Sequence, residues 1–207
     1  VLEQKGLIEV RKGHRGGIFV KELNSDSMTE TLALFVQSQR IRMGEISEFR
    51  QDLEGIVTRR AALRADARNT GELRRLLERA RALADEGAAQ WDEFMQVDKN
   101  IHLALARVGG NPLHHFFLET VHNNLHRYHI NTYLPRTAKI VRTTLAELQE
   151  IVAAVVQGDA DRAERLARDH VRHATAAMEK RSTAAAKPAK PLARPSRSKN
   201  RPVGDAP

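Results

Sequence analysis

The chain has 207 residues, a formal charge of +8 and no cysteine, a length that allows one large domain or two small ones. The lack of cysteine excludes disulfides and thiolate metal sites and fits a cytoplasmic protein. No apolar run reaches the roughly 20 residues of a membrane span, and no secretory leader is visible. Hydrophobic residues make up 41% and aromatics only 4%, so any core is mainly aliphatic. The charge is unevenly placed. From Arg181 to Pro207 there are seven basic residues and one acid, which leaves +2 for residues 1–180.

The first predicted element is a hairpin. Ile8 and Val10 alternate with polar neighbours, as do Ile18 and Val20, and the basic, glycine-rich "RKGHRGG" lies between them. From Met28 the period becomes helical. The pattern turns Leu32, Leu34 and Phe35 inward, and then Ile46, Phe49, Leu53, Ile56 or Val57, and Ala61. A third helix begins near Asn69 or Thr70, residues suited to an N-cap, and a fourth over "WDEFMQVDKNIHLALARV" stops at "GGN". Pro112 suits a first turn, and that helix is predicted to run from about Leu113 to near Ile130. The last two helices are predicted over about Thr137–Val156 and Ala160–Lys180. The short turn "QGD" makes them antiparallel. The rest, rich in Pro, Ala and cations, is expected to be a basic disordered tail, 181–207.

Chemistry concentrates on the fourth and last helices. Phe94, Val97, Ile101, Leu105 and Val108 form one stripe. Asp98 and His102 lie along its edge one turn apart, a spacing that suits a shared divalent cation or an ordinary helix pair. On the last helix His170 falls within the inner arc and His173 at its edge. His115, His122, His126 and His129 lie near one face. That face reads as solvated or as an interface, with a metal the lesser reading. No zinc-protease, serine-hydrolase, phosphate-loop or dinucleotide motif is present, so no enzyme is expected.

Taken together, these segments resemble a known family. "LEQKGLIEVRKGHRGGIFV" resembles the end of the winged-helix domain of GntR-type bacterial repressors. "EFRQDLE", "VDKNIHLALARVGGNP" and "VVQGDADRAERLARDHVRH" resemble, in order, the effector domain of the FadR subfamily, the FCD domain. The resemblance implies an all-α antiparallel bundle of six to seven helices behind a short β-hairpin wing. The implied division is residues 1–24 as a partial winged-helix domain whose helix-turn-helix is largely missing, residues 28–180 as the helical domain, and the tail. It implies a ligand-responsive, DNA-binding transcriptional regulator acting as a homodimer on operator DNA, with no membrane role. The alternative is a DNA-free helical module for ligand sensing and dimerisation.

The resemblance also implies site residues. Arg11, Lys12, His14 and Arg15 at the wing tip would touch DNA, giving affinity rather than sequence choice. Metal-binding members gather one Asp and three His, and Asp98, His102 and His170 match three of them. The remaining His would fall at position 148, where this chain has Leu148. Three outcomes stay open: a three-ligand site for Zn or Ni, a histidine from the 122–129 stretch as substitute, or a metal-free cavity. Arg50, Asn111 and His173 are the candidates for binding a small carboxylic acid. Arg50 can equally pair with Glu54 at the surface, and Asn111 can be a turn residue.

Overall fold

The computed structural model describes residues 8–13, 16–20 and 25–185. Strands β1 (Ile8–Arg11) and β2 (Gly17–Val20) pair antiparallel, with Val10 opposite Ile18 and Arg11 opposite Gly17. Gly13 takes a φ of 115° at the tip, a conformation that a Cβ would strain. The Arg11 guanidinium carbon lies 4.7 Å from the centre of the Phe19 ring.

The rest is helical. The elements are α1 (Ser25–Ser38), α2 (Met43–Arg64), α3 (Gly71–Asp85), α4 (Trp91–Gly109), α5 (Pro112–Leu125), a single turn α6 (Asn131–Tyr133), α7 (Ala138–Val156) and α8 (Ala160–Ala185). A 3-10 turn over Gly87–Gln90 leads into α4. The described residues therefore form an antiparallel bundle of seven longer helices behind a hairpin. No helix among the described residues is long and apolar enough to cross a membrane.

The bundle is organised around α4, which packs against α2, α3, α5 and α7. It is buried on nearly every side, with Trp91, Phe94, Ile101 and Leu105 at 2% exposure or less. Its exposed edge carries Asp92, Glu93, Gln96 and Arg107, whereas Asp98 and His102 lie on the buried side and are carried inward with the apolar stripe. Helix α8 lies along α2 and beside α7, and α1 lies on α5.

Local chemistry sets the ends. Asn111 caps α5 by accepting from the Leu113 N–H at 3.0 Å, with Pro112 in the first turn. Thr137 caps α7 by accepting from the Ile140 N–H. At the end of α4, Gly110 is left-handed (φ 69°) and donates to the carbonyls of Ala106 and Arg107. A Cβ there would also meet Arg64 Nη1 at 2.7 Å, and that nitrogen donates to the Gly109 carbonyl. Gly110→Ala is therefore expected to cost about 1–2 kcal/mol and to lower the melting temperature by roughly 2–8 °C in a thermal melt.

One helical expectation is refined and two are corrected. The helix expected from about Leu113 to near Ile130 is helical over that span, but α5 itself ends at Leu125. It widens into a π-turn over His126–Ile130, a local insertion often found beside functional sites. Helix α8 continues past Lys180 to Ala185, and Arg181 Nη1 donates to the Leu134 carbonyl at 3.2 Å; residues 186–207 lie outside the described residues. Finally, Leu34, Phe35, Phe49 and Ile56 are exposed. Helix α2 instead buries Ser47, Arg50, Glu54, Gly55, Val57, Thr58, Ala61 and Ala62. Its inner face is partly ionic, because it forms the floor of the polar site described next.

Candidate metal centre and effector cavity

Buried side chains from α2, α4, α5, α7 and α8 meet between the helices. Arg50 and Glu54, one turn apart on α2, have side chains 4% and 1% exposed. Arg50 donates to Glu54 Oε1 from Nε at 2.9 Å and approaches it with Nη2 at 2.7 Å. The pair is thus formed, but in the interior rather than at the surface. Glu54 also faces α4, with its Oε2 2.8 Å from His102 Nδ1. Burial works to raise the Glu54 pKa. The charge of Arg50, followed by His102 and His122, outweighs it and holds the carboxyl well below its usual range. The mirror effect acts on His102: burial opposes its charge, and Glu54 overrides burial to raise its pKa.

The other nitrogen of His102 looks across the site. His102 Nε2 lies 3.8 Å from Asp98 Oδ1, and His170 Nε2 lies 3.7 Å from the same oxygen. Each histidine has a glutamate behind it. Glu54 Oε2 is in ionic contact with Nδ1 of His102, and Glu147 Oε2 is hydrogen-bonded to Nδ1 of His170 at 2.8 Å. With a carboxylate on the Nδ1 side, Nε2 of each ring is the nitrogen left to face Asp98. Asp98 Oδ1 and His102 Nε2 are buried with no protein hydrogen-bond partner. Separations of 3.7 and 3.8 Å exceed a hydrogen bond. They lie a little above the roughly 3.3 Å that separates two donors on one tetrahedral zinc. Asp98, His102 and His170 therefore form a group that can hold a metal ion, and Glu54, His102 and His122 form a second such group.

Beside this cluster is a cavity of about 60 Å³, lined by Arg50, Asp98, His122, Glu147, His170 and His173 with Thr143, Thr144 and aliphatic side chains. That volume holds about two waters at liquid density. His122, on α5, is 1% exposed; its ring centre is 4.8 Å from that of His102, which in turn is 5.2 Å from that of His170. Burial pushes His122 down to about 4 and His126 likewise to about 4, so both are neutral at pH 7. His122 thus does not lie on a solvated face, the reading its spacing favoured.

The other candidates fall as follows. His173 lines the cavity mouth, half exposed, with Nδ1 2.7 Å from Glu147 Oε1. Burial would raise the Glu147 pKa, and hydrogen bonds from His170 and His173 lower it on balance. Asn111 does not line the cavity; its side chain is spent on the α5 cap. Leu148 is fully buried in the aliphatic core and brings no donor to the site. Arg11 and Lys12 are exposed on the hairpin, whereas His14 and Arg15 lie outside the described residues. Sequence reasoning had not singled out Glu54 or Glu147 as site residues. The signal for Glu54 was its i, i+4 spacing from Arg50. Glu147 offered none beyond its place beside position 148.

The fold and sequence have known counterparts. The FCD domain model matches residues 45–173. Among solved structures, a GntR protein of Streptococcus agalactiae is similar at 17% identity with a TM-score of 0.65, over 84% of this chain and 77% of that one. McbR/YncC of E. coli is similar at 15% identity and 0.58, over 86% and 80%. Lar, which controls expression of the Listeria monocytogenes agr system, is similar at 12% and 0.53, over 86% and 75%. Among curated proteins, no relative matches. With its helical bundle and a matched segment covering more than half its length, this chain belongs to the FCD domain family and has the effector-binding fold of GntR-family transcription regulators.

Proposed function

We propose that the helical domain binds a small organic acid beside a divalent metal, zinc or nickel, held by Asp98, His102 and His170, and that occupancy controls how a homodimer engages operator DNA. The observation that carries this reading is the buried Asp98 Oδ1. It has no protein hydrogen-bond partner and stands between two imidazole nitrogens that glutamates orient from behind. A buried carboxylate oxygen without a partner is costly unless a cation reaches it. When bound, the metal supplies a Lewis-acidic position for a carboxylate. Arg50, His122 and His173 line the wall on which such an anion rests. A cavity of about 60 Å³ suits an acid of a few heavy atoms and not a long acyl chain.

Regulation requires the acid to bind one helix arrangement better than another. Arg11 and Lys12 on the hairpin contribute phosphate contacts, and two-fold operators call for two protomers. The residues of 181–207 add salt-sensitive, nonspecific DNA affinity.

The test is calorimetry on chelator-treated protein, titrated first with Zn²⁺ or Ni²⁺ and then with short carboxylic acids. Expected are uptake of about one metal per chain at micromolar affinity or tighter and acid binding that depends on the loaded metal. No uptake at micromolar concentrations removes the metal from the site. Acid binding that ignores the metal assigns the cavity to the acid alone.

A further inference from the structure

Helix α5 borders a second and larger cavity. His122 meets the small polar one. Asn124, two residues on and so about 200° round the helix, lines a hollow of about 640 Å³ between α1, α2 and α5. Its walls are Leu32, Phe35 and Val36 of α1, Ile46 and Phe49 of α2, and Val121 of α5. The turn between α1 and α2 closes one end. There the Ile41 N–H donates to the Val36 carbonyl at 3.0 Å and the Arg40 N–H to the Gln37 carbonyl at 3.2 Å. This Schellman closure brings Val36 and Ile41 together, and both line the hollow.

One polar group in that wall is unsatisfied. Of the polar residues around the hollow, Asn124 alone is buried, at 4% exposure. Its Nδ2 has no hydrogen-bond partner, a costly state for a buried amide that an acceptor in the hollow would relieve. The charged residues that line it, Arg40, Arg42 and Glu45, are exposed, and Arg42 pairs with Glu45 at 3.2 Å. No buried charge therefore lines it, in contrast to the polar cavity with its buried Asp98 and Arg50. Its volume lies within the roughly 300–1,000 Å³ of small-molecule sites, which combine apolar walls with a few placed polar groups.

We infer that this hollow binds an uncharged, mainly apolar organic molecule carrying a carbonyl group, to which Asn124 Nδ2 donates a hydrogen bond. The site is separate from the metal and acid reading above and does not depend on it. Its occupant touches α1, α2 and α5 at once.

The test uses the full chain with chelator present, so that no metal occupies the polar cavity. The neutral dye N-phenyl-1-naphthylamine, whose fluorescence rises in apolar sites, is bound and then displaced by 4-phenyl-2-butanone or by butylbenzene. These two share one skeleton and differ in the carbonyl. Wild type is expected to take up the dye and release it to both compounds. Asn124→Leu should weaken the ketone at least about fivefold, since its carbonyl then stays unpaired, and should hold butylbenzene as well as wild type or better. Val36→Trp fills the hollow and should weaken the dye and both compounds at least tenfold. Circular dichroism melts check that the variants fold. If Asn124→Leu does not fold, the Asn124 side-chain amide signals of wild type in a heteronuclear NMR spectrum decide: a larger shift with the ketone than with butylbenzene supports the inference, and equal shifts overturn it. No dye uptake by wild type, equal effects of a folded Asn124→Leu on the two compounds, or unchanged binding in a folded Val36→Trp also overturns it. Sedimentation supplies one more outcome: if wild type takes up no dye and Phe49→Glu abolishes self-association, the face belongs to a second copy of the chain and the inference falls.

Discussion

Replacing Glu54 with alanine is expected to lower the melting temperature by roughly 6–20 °C, the equivalent of about 3–5 kcal/mol. The reason is what the substitution leaves behind. Arg50 has a side chain 4% exposed, and Glu54 takes its Nε and Nη2. Without Glu54 a guanidinium that cannot lose its proton is stranded in the interior. His102 loses the carboxylate at its Nδ1 in the same step. The loss belongs to the broken pair and not to the cavity, and a second variant shows this. Arg50→Met combined with Glu54→Gln removes both charges and keeps the volume, and it should recover most of the stability. A Glu54→Ala protein that melts within about 2 °C of wild type would mean that Arg50 reaches water, and the floor of the site would need redrawing.

Asp98→Asn is expected to act with opposite signs on the metal-free and the metal-loaded protein. Without metal, Asp98 Oδ1 is a buried carboxylate oxygen with no protein hydrogen-bond partner, so its neutral isostere should melt at the same temperature or higher. With metal at a hundred times its dissociation constant, wild type gains about 2.7 kcal/mol by mass action, or roughly 5–11 °C. Asp98→Asn should show no such gain, and its affinity for Zn²⁺ should fall by at least about a hundredfold, because loss of even an outer-shell partner costs up to that much. Thermal melts with and without Zn²⁺, paired with a competition titration, read both effects. Equal metal-induced shifts in the two proteins would place the ion elsewhere.

How far the sequence revealed this arrangement varies by helix, for physical reasons. Helix α4 was legible because its stripe of Phe94, Val97, Ile101, Leu105 and Val108 is truly the buried side. Fixing that stripe also fixed where Asp98 and His102 point. Helix α2 was legible only in part. Val57 and Ala61 are buried as its spacing predicts, but its inner face also carries Arg50 and Glu54, while Phe49, Ile56 and Leu63 are exposed. A reading that sends apolar residues inward misses the ionic part of such a face. The same bias hid Glu54, since an Arg and a Glu one turn apart usually mark a solvated face. His122 was obscured differently. Its spacing to His126 and His129 suggested one polar face, yet Leu118, Val121 and Leu125 around it are buried, and the π-turn that follows breaks the face at His126. Glu147 could not be found at all by spacing, because its partners His170 and His173 come from another helix.

Helix α5 has two neighbours that matter. One side carries His122 into the cavity wall. The other is the bed of α1, the first helix after the hairpin in the chain, through Asn123 on Ser25, through Thr29 on the Thr120 carbonyl, and through Arg127 and Tyr128 on Glu30. Whatever tugs His122 therefore rocks the platform on which α1 is moored. A shift too small to disturb the bundle's packing would still reach α1 through these contacts.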